Sequence, residues 1–279
     1  MYDVAVTTGL TYRKTGDQSL MADLYLPATQ DVPPVVLYVH GGGFQTGSRT
    51  DDSATRLAAL AAYGIAVFSV DYRLAPGARF PDQLHDVRAA VRWLRTHATH
   101  LGVDGARMAI WGASAGGLLA SLAGLSIGSM ESEEIEDQRG SVCSAVQAVV
   151  TWFGLADLVD TASRSWLEAE LLPFNFEAAF LGVESVTTNA EDGLVADRAR
   201  RASPLTWVSS DAPPFLISHG DRDRITPVAQ SQALHDALVR AGANSTLQLI
   251  GGAGHEDRAF ESPANLAMTA GWLLATLNS

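Results

Sequence analysis

The stretch Met108-Ala109-Ile110-Trp111-Gly112-Ala113-Ser114-Ala115-Gly116-Gly117-Leu118-Leu119-Ala120 sets the topology of this chain. Met108 to Trp111 is an apolar run of the kind found in strands covered on both faces. Leu118, Leu119, Ala120 and Leu122 open a helical pattern. Between them, Gly112-Ala113-Ser114-Ala115-Gly116 predicts a sharp strand-to-helix turn with the Ser114 hydroxyl thrust out above the sheet. Glycines two residues to either side let the turn close, because a Cβ at either place would collide with a neighbouring strand or helix. A serine on such a turn is a candidate nucleophile. The same pattern recurs at Gly124-Leu125-Ser126-Ile127-Gly128. There the serine follows a helix and runs toward the acidic stretch Glu131 to Asp137, so Ser126 reads as a helix-terminus residue.

To either side of this turn, strand and helix alternate. Val4 to Tyr12 and Leu20 to Leu26 predict an antiparallel hairpin around Thr15-Gly16-Asp17. Val35–Val39 and Ile65–Val70 read as buried strands, with Thr55 to Tyr63 as a crossover helix between them. Pro81 opens a longer helix whose Leu84, Val87, Val91 and Leu94 share one face. Later strands are expected at Ala145–Trp152, Phe215–His219 and Thr246–Ile250, with helices from Val228 to Ala241 and from Pro263 to Leu277. This order predicts an α/β class, with a mostly parallel, doubly wound twisted sheet carrying helices on both faces. One domain over 1–279 is expected, with a polar loop at Ser126 to Ser141. A small helical cap is expected at about 155–201, where Trp166, Leu167, Leu171, Leu172, Phe174, Phe176 and Phe180 show no sheet-like alternation.

A formal net charge of −12 argues against nucleic acid or an anionic membrane as a partner. The single cysteine, Cys143, leaves no internal disulfide and no multi-cysteine metal site. No basic-then-apolar leader and no apolar run of membrane-spanning length is present, so the chain reads as cytoplasmic. Neither a cofactor nor a metal is expected. An exposed edge strand or the last helix could pair two copies into a homodimer.

A serine nucleophile needs a base. His85, His97 and His100 lie on or just beyond one helix, and His235 lies within another. His255 follows the last strand through Gly251-Gly252-Ala253-Gly254, beyond a strand end where ligands of such sheets bind. The imidazole needs a carboxylate, for which Asp223 leads, with Asp221 and Asp157 as competitors. Asp221 is expected to brace its own turn. An acyl transfer also needs donors for the oxyanion. His40-Gly41-Gly42-Gly43 supplies a side-chain-free loop after the Val35–Val39 strand, and the Ala115 amide adds a further donor. His40 is expected to brace that loop.

The chain resembles the hormone-sensitive-lipase-like esterases of the α/β-hydrolase superfamily, and particularly their bacterial feruloyl- and acetyl-esterase-like branch. The residues that carry the resemblance are His40–Phe44, Asp71–Pro76, Trp111–Gly117, Ser203-Pro204, Pro213–Pro227 and Gly252–His255, in that order along nearly the whole chain. The resemblance implies an α/β-hydrolase fold, Ser114 as nucleophile, Asp223 as acid and His255 as base. It also implies Gly42, Gly43 and Ala115 as oxyanion donors. Ala113 stands where many relatives have an acidic residue, and Leu118 where a histidine often follows the glycine pair. The expected activity is hydrolysis of small carboxylic esters of short to medium acyl chain, acetylated or feruloylated carbohydrate esters among them, with Phe44 bounding the substrate pocket. Two other readings are an acylaminoacyl-type peptidase, which would prefer aminoacyl anilides, and a non-catalytic ligand-binding relative, which would bind without turnover.

Overall fold

The computed structural model describes residues 1–127, 142–159, 176–183 and 193–279. Its eight strands are β1 (Val4–Thr15), β2 (Gln18–Pro27), β3 (Pro34–Val39), β4 (Ala66–Val70), β5 (Asp104–Ala113), β6 (Ala148–Trp152), β7 (Phe215–Gly220) and β8 (Ser245–Ile250). They form one sheet in the order β1-β2-β4-β3-β5-β6-β7-β8. β1 and β2 pair antiparallel, as does β2 with β4. From β4 through β8 every neighbouring pair is parallel.

Helices cover both faces, and the alternation along the strands explains how. Val35, Leu37, Val39 and Ile110 point into one apolar layer with Leu84, Val87, Val91 and Leu94 of α1 (Asp82–Leu101). Leu118, Leu119 and Leu122 of α2 (Ala115–Leu125) join the same layer. The intervening residues Val36, Tyr38, Ala109 and Trp111 point into a second layer with Leu57 and Leu60. The two remaining long helices follow the last strands. Among the described residues of the expected cap, two short helices appear, α3 (Phe176–Leu181) and α4 (Gly193–Arg201). They precede α5 (Val228–Arg240), which brings Leu234 and Leu238 to the first layer. The last helix, α6 (Pro263–Leu277), brings Leu266, Ala270 and Leu273 to the second. The strands β3, β4, β6 and β7 are buried along their whole length, as continuous apolar runs require.

Two details depart from the sequence expectation, the crossover and the start of β6. The crossover expected over Thr55 to Tyr63 is a π turn at Ser53–Ala58 running into α-helical Ala59–Ala61. In this wider turn the adjacent Arg56 and Leu57 are both buried. β6 begins at Ala148 rather than Ala145, because the Gln147 side chain takes up the Met108 amide at 2.8 Å ahead of the strand. Ser126 ends α2, where its hydroxyl donates to the Leu122 carbonyl at 2.6 Å and receives Arg88 at 2.7 Å. The polar stretch after Ile127, and Trp166, Leu167, Leu171, Leu172 and Phe174, lie outside the described residues.

The turn at Ser114 follows the steric logic of its glycines. A Cβ on Gly112 would overlap the Gly116 carbonyl, and one on Gly116 would overlap the Val39 carbonyl. Both obstacles are backbone, which cannot rotate away. Gly116→Ala is therefore expected to cost about 3 kcal/mol or more, as overpacking against fixed atoms does. The matching fall in Tm is about 6 °C or more. Calorimetry of the purified variant reads it, and an unchanged Tm would show that the turn has slack.

Candidate active site

The carboxyl ends of β3, β5, β7 and β8 lie along one edge of the sheet, and each delivers one part of the site. β5 ends at Ala113, and Ser114 follows at φ 54°, ψ −119°, a region non-glycine residues rarely occupy. Its amide is held by the Trp152 carbonyl at 2.9 Å. Its Oγ lies 2.9 Å from His255 Nε2. On the other side of the ring, His255 Nδ1 lies 2.7 Å from Asp223 Oδ2. A carboxylate only accepts, so Nδ1 carries the proton and Nε2 is left to accept from the serine hydroxyl.

Asp223 is fully engaged. Its Oδ1 accepts the amides of Ile225 and Thr226 at 2.8 and 2.9 Å. Its Oδ2 receives, besides His255, the Nε2 of His219 at 3.2 Å. His219 is wholly buried; its Nε2 also meets the Thr226 carbonyl at 2.9 Å, and its Nδ1 meets Ser231 Oγ at 2.7 Å. The carbonyl fixes Nε2 as the protonated nitrogen, so the ring donates toward Asp223. Burial by itself would raise the Asp223 carboxyl. The hydrogen bonds from His219, from His255 and from the Thr226 amide outweigh it and hold the group well below the usual carboxylate range. Asp223 is thus ionised wherever the protein is folded near neutral pH.

The other carboxylates considered from the sequence are occupied elsewhere. Asp221 Oδ1 accepts the Gly252 amide at 2.7 Å and so braces the loop that leads to His255. Asp157 Oδ1 accepts the Val159 amide at 2.8 Å. His219 received no role in the sequence reading beyond its place in a strand. The one available signal was its spacing of four residues from Asp223 across a tight turn.

β3 delivers the glycine loop. Gly42 and Gly43 have φ values of 99° and 59°, the left-handed region that favours glycine. A Cβ on Gly43 would run into the Phe176 ring. Both glycines line a cavity of about 380 Å³ with Ser114, Ala115, His255 and Phe176. Ala115 is the first residue of α2, so its amide has no acceptor within the helix. His40 stacks on Tyr72 with ring centres 4.3 Å apart, and its Nδ1 meets the Gly41 carbonyl at 2.8 Å. The Tyr72 hydroxyl donates to the His40 carbonyl at 3.1 Å. These contacts explain why the Asp71-Tyr72 segment accompanies the glycine loop. Phe44 borders the cavity, yet its side chain is buried and stacks on Phe180 at 4.0 Å. It forms the cavity wall from within the core.

A serine, an imidazole and an ionised carboxylate in one hydrogen-bonded series, beside a loop free of side chains, is an arrangement suited to acyl transfer. The BD-FAE family model matches residues 22–238, most of the chain. The chain belongs to the BD-FAE family of α/β-hydrolase esterases. The span matched by the BD-FAE model contains Gly42, Gly43, Ser114 and Asp223 and stops before His255. The chain is 35% identical over 223 residues to Esterase LipC of Mycobacterium tuberculosis, covering 80% of this chain and 52% of that protein. It spans about half the length of the curated relatives it matches. Among solved structures, a truncated carbohydrate esterase from gut microbiota superposes with a TM-score of 0.82 at 25% identity, covering 100% of this chain and 98% of that one. The bifunctional GH43-CE protein of Bacteroides eggerthii gives a TM-score of 0.81 at 25% identity, covering 98% of this chain and 35% of that one. The fold is the α/β-hydrolase fold. No helix among the described residues is long and apolar enough to cross a membrane.

Proposed function

We propose that this chain is a serine carboxylesterase that works through an acyl-enzyme intermediate. The observation that carries the reading is the unbroken series from Asp223 through His255 to Ser114, at 2.7 and 2.9 Å. In this mechanism His255 Nε2 takes the Ser114 proton as Oγ attacks the ester carbonyl, and Asp223 holds the tautomer and stabilises the imidazolium. The amides of Gly42, Gly43 and Ala115 receive the developing oxyanion, each such donor contributing about 3–4 kcal/mol in the transition state. His255 then passes the proton to the departing alcohol. Water, activated by the same imidazole, releases the acid and restores Ser114. We read the segment at about 155–201 as a cap on a single domain; of its described residues, Leu155, Phe176 and Glu177 line the cavity.

A cavity of about 380 Å³ with Leu155, Phe176 and Ile225 on its walls suits short to medium acyl groups, being at the small end for ligand sites. Kinship with carbohydrate esterases supports acetylated or feruloylated sugars as the alcohol side. The test combines nitrophenyl esters of graded chain length with methyl ferulate and an acetylated sugar. It adds labelling by an organophosphonate followed by peptide mapping. The label is expected on Ser114 and activity on the short esters. A label elsewhere would count against the mechanism.

A further inference from the structure

Arg56 lies in the π turn between β3 and β4, far in sequence from Ser114, Asp223 and His255. Its side chain is only 2% exposed. Four groups converge on its guanidinium. One terminal nitrogen donates to the Tyr38 hydroxyl at 2.8 Å and sits 3.0 Å from Asp52. The other donates to Glu256 at 2.8 Å and to Glu261 at 3.0 Å. Its Cζ lies over the Trp152 ring, 5.3 Å from the centroid. The facing charged and titratable groups are therefore Asp52 from its own turn, Tyr38 from β3, Glu256 from the His255 loop and Glu261 from the short 3₁₀ helix Arg258–Glu261. Burial opposes the guanidinium charge, but Tyr38 and then the Glu256 and Asp52 carboxylates outweigh it and raise its pKa above the ordinary arginine value.

The partners of Arg56 lead directly to the reacting groups. Glu256 adjoins His255 in sequence and holds φ 53°, a conformation that persists in a non-glycine residue only when its surroundings fix it. Glu261 ends the 3₁₀ helix whose Phe260 packs on Phe153 at 4.5 Å, and Phe153 in turn meets the His255 ring edge-on at 4.8 Å. Trp152, beneath the guanidinium, offers the carbonyl that holds the Ser114 amide. One buried cation thus touches the supports of both the base and the nucleophile. The guanidinium is buried while Glu256 is 41% exposed and Glu261 18% exposed. A single exposed pair would do little, whereas several charge-assisted hydrogen bonds meeting at one buried cation fix geometry.

We propose that Arg56 is a positioning residue for the site, fixing the His255 loop through Glu256 and Glu261 and the Ser114 turn through Trp152. This role rests on the esterase reading above. Arg56→Met, Arg56→Lys and Glu256→Gln test it, with active sites titrated by organophosphonate so that unfolded molecules drop out. Arg56→Met is expected to lower kcat per titrated site about 30-fold with KM changed less than threefold, since small misplacements of reacting groups cost on this order. Arg56→Lys is expected to recover most of that loss. Adding Glu256→Gln to Arg56→Met is expected to cost little more, as for residues acting in one network.

A second readout needs no substrate. The downfield proton resonance of the His255–Asp223 hydrogen bond, assigned by its absence in His255→Ala, is expected to be lost in Arg56→Met and kept in Arg56→Lys. If Arg56→Met does not fold, Glu256→Gln decides: a roughly fivefold loss of kcat per site supports the role and an unchanged value overturns it. An Arg56→Met variant that keeps both the resonance and kcat per site within twofold, even with a lower Tm, overturns the proposal. Should the unaltered chain neither hydrolyse esters nor take the label, the esterase reading fails. The resonance alone then decides the role of Arg56.

Discussion

Ser114→Ala is expected to lower ester turnover by about 10⁴-fold or more, since loss of a serine nucleophile leaves only oxyanion stabilisation and binding. The expectation follows from what the substitution spares. Alanine keeps the Cβ, so the turn held between Gly112 and Gly116 sees no new atom. The backbone bond from the Ser114 amide to Trp152 does not involve the side chain. His255 and Asp223 remain paired, because their 2.7 Å contact is independent of the hydroxyl. The variant should therefore fold with a Tm close to that of the unaltered chain while losing phosphonate labelling altogether. Assays with a short-chain nitrophenyl ester, checked against the uncatalysed rate, read the effect. Retention of more than about one per cent of turnover would remove Ser114 from the mechanism.

Asp223→Asn is expected to be almost as severe, near 10⁴-fold in kcat, although the side chain is nearly isosteric. The structure supplies the reason. Oδ1 accepts two backbone amides, from Ile225 and Thr226, so an asparagine must turn its carbonyl oxygen toward them. Its NH₂ group then faces two ring nitrogens, His255 Nδ1 and His219 Nε2. His219 cannot change tautomer without losing its bond to the Thr226 carbonyl. His255 can, and the change would place its proton on Nε2, facing Ser114, where it can no longer accept. The readout is kcat with KM, together with phosphonate labelling, which should become very slow without disappearing. A loss of only a few-fold would mean that Asp223 merely braces the loop and that another group orients the imidazole.

Much of this molecule is readable from local sequence because local sterics generate it. Val35–Val39 and Phe215–His219 are continuous apolar runs, which only strands covered on both faces can bury. Leu84, Val87, Val91 and Leu94 recur at helical spacing and all lie in one apolar layer. Gly112 and Gly116 announce their turn because no other residue fits against the Gly116 and Val39 carbonyls. The glycine loop after β3 is marked in the same way, by positions where a Cβ would overlap the Thr46 carbonyl (Gly42) or the Phe176 ring (Gly43).

Less readable were the features that depend on which strand ends meet. Asp223 leads over Asp221 and Asp157 in the sequence, yet all three lie beyond strand ends and letters alone do not aim them. The turn after β7 directs Asp223 to His255, while Asp221 reaches the Gly252 amide. Phe44 stands beside the glycine loop in the sequence, and only the fold shows that it borders the cavity with its ring stacked on Phe180. His219 sits inside an apolar strand run, and Arg56 inside an alanine- and leucine-rich stretch. Neither carries a motif.

The sequence by itself therefore determined the alternating α/β class, the order of the elements and the turn that exposes Ser114. Periodicity and glycine placement act over a few residues and need no distant partner. Tertiary structure alone decided where Asp221 and Asp157 are spent, the tautomer that His219 enforces, and the burial of Arg56 among Tyr38, Glu256 and Glu261. Arg56 and Glu256 are separated by 200 positions. A charge becomes an organising centre only when the fold removes water from around it and supplies its counter-charges, and no local pattern encodes that.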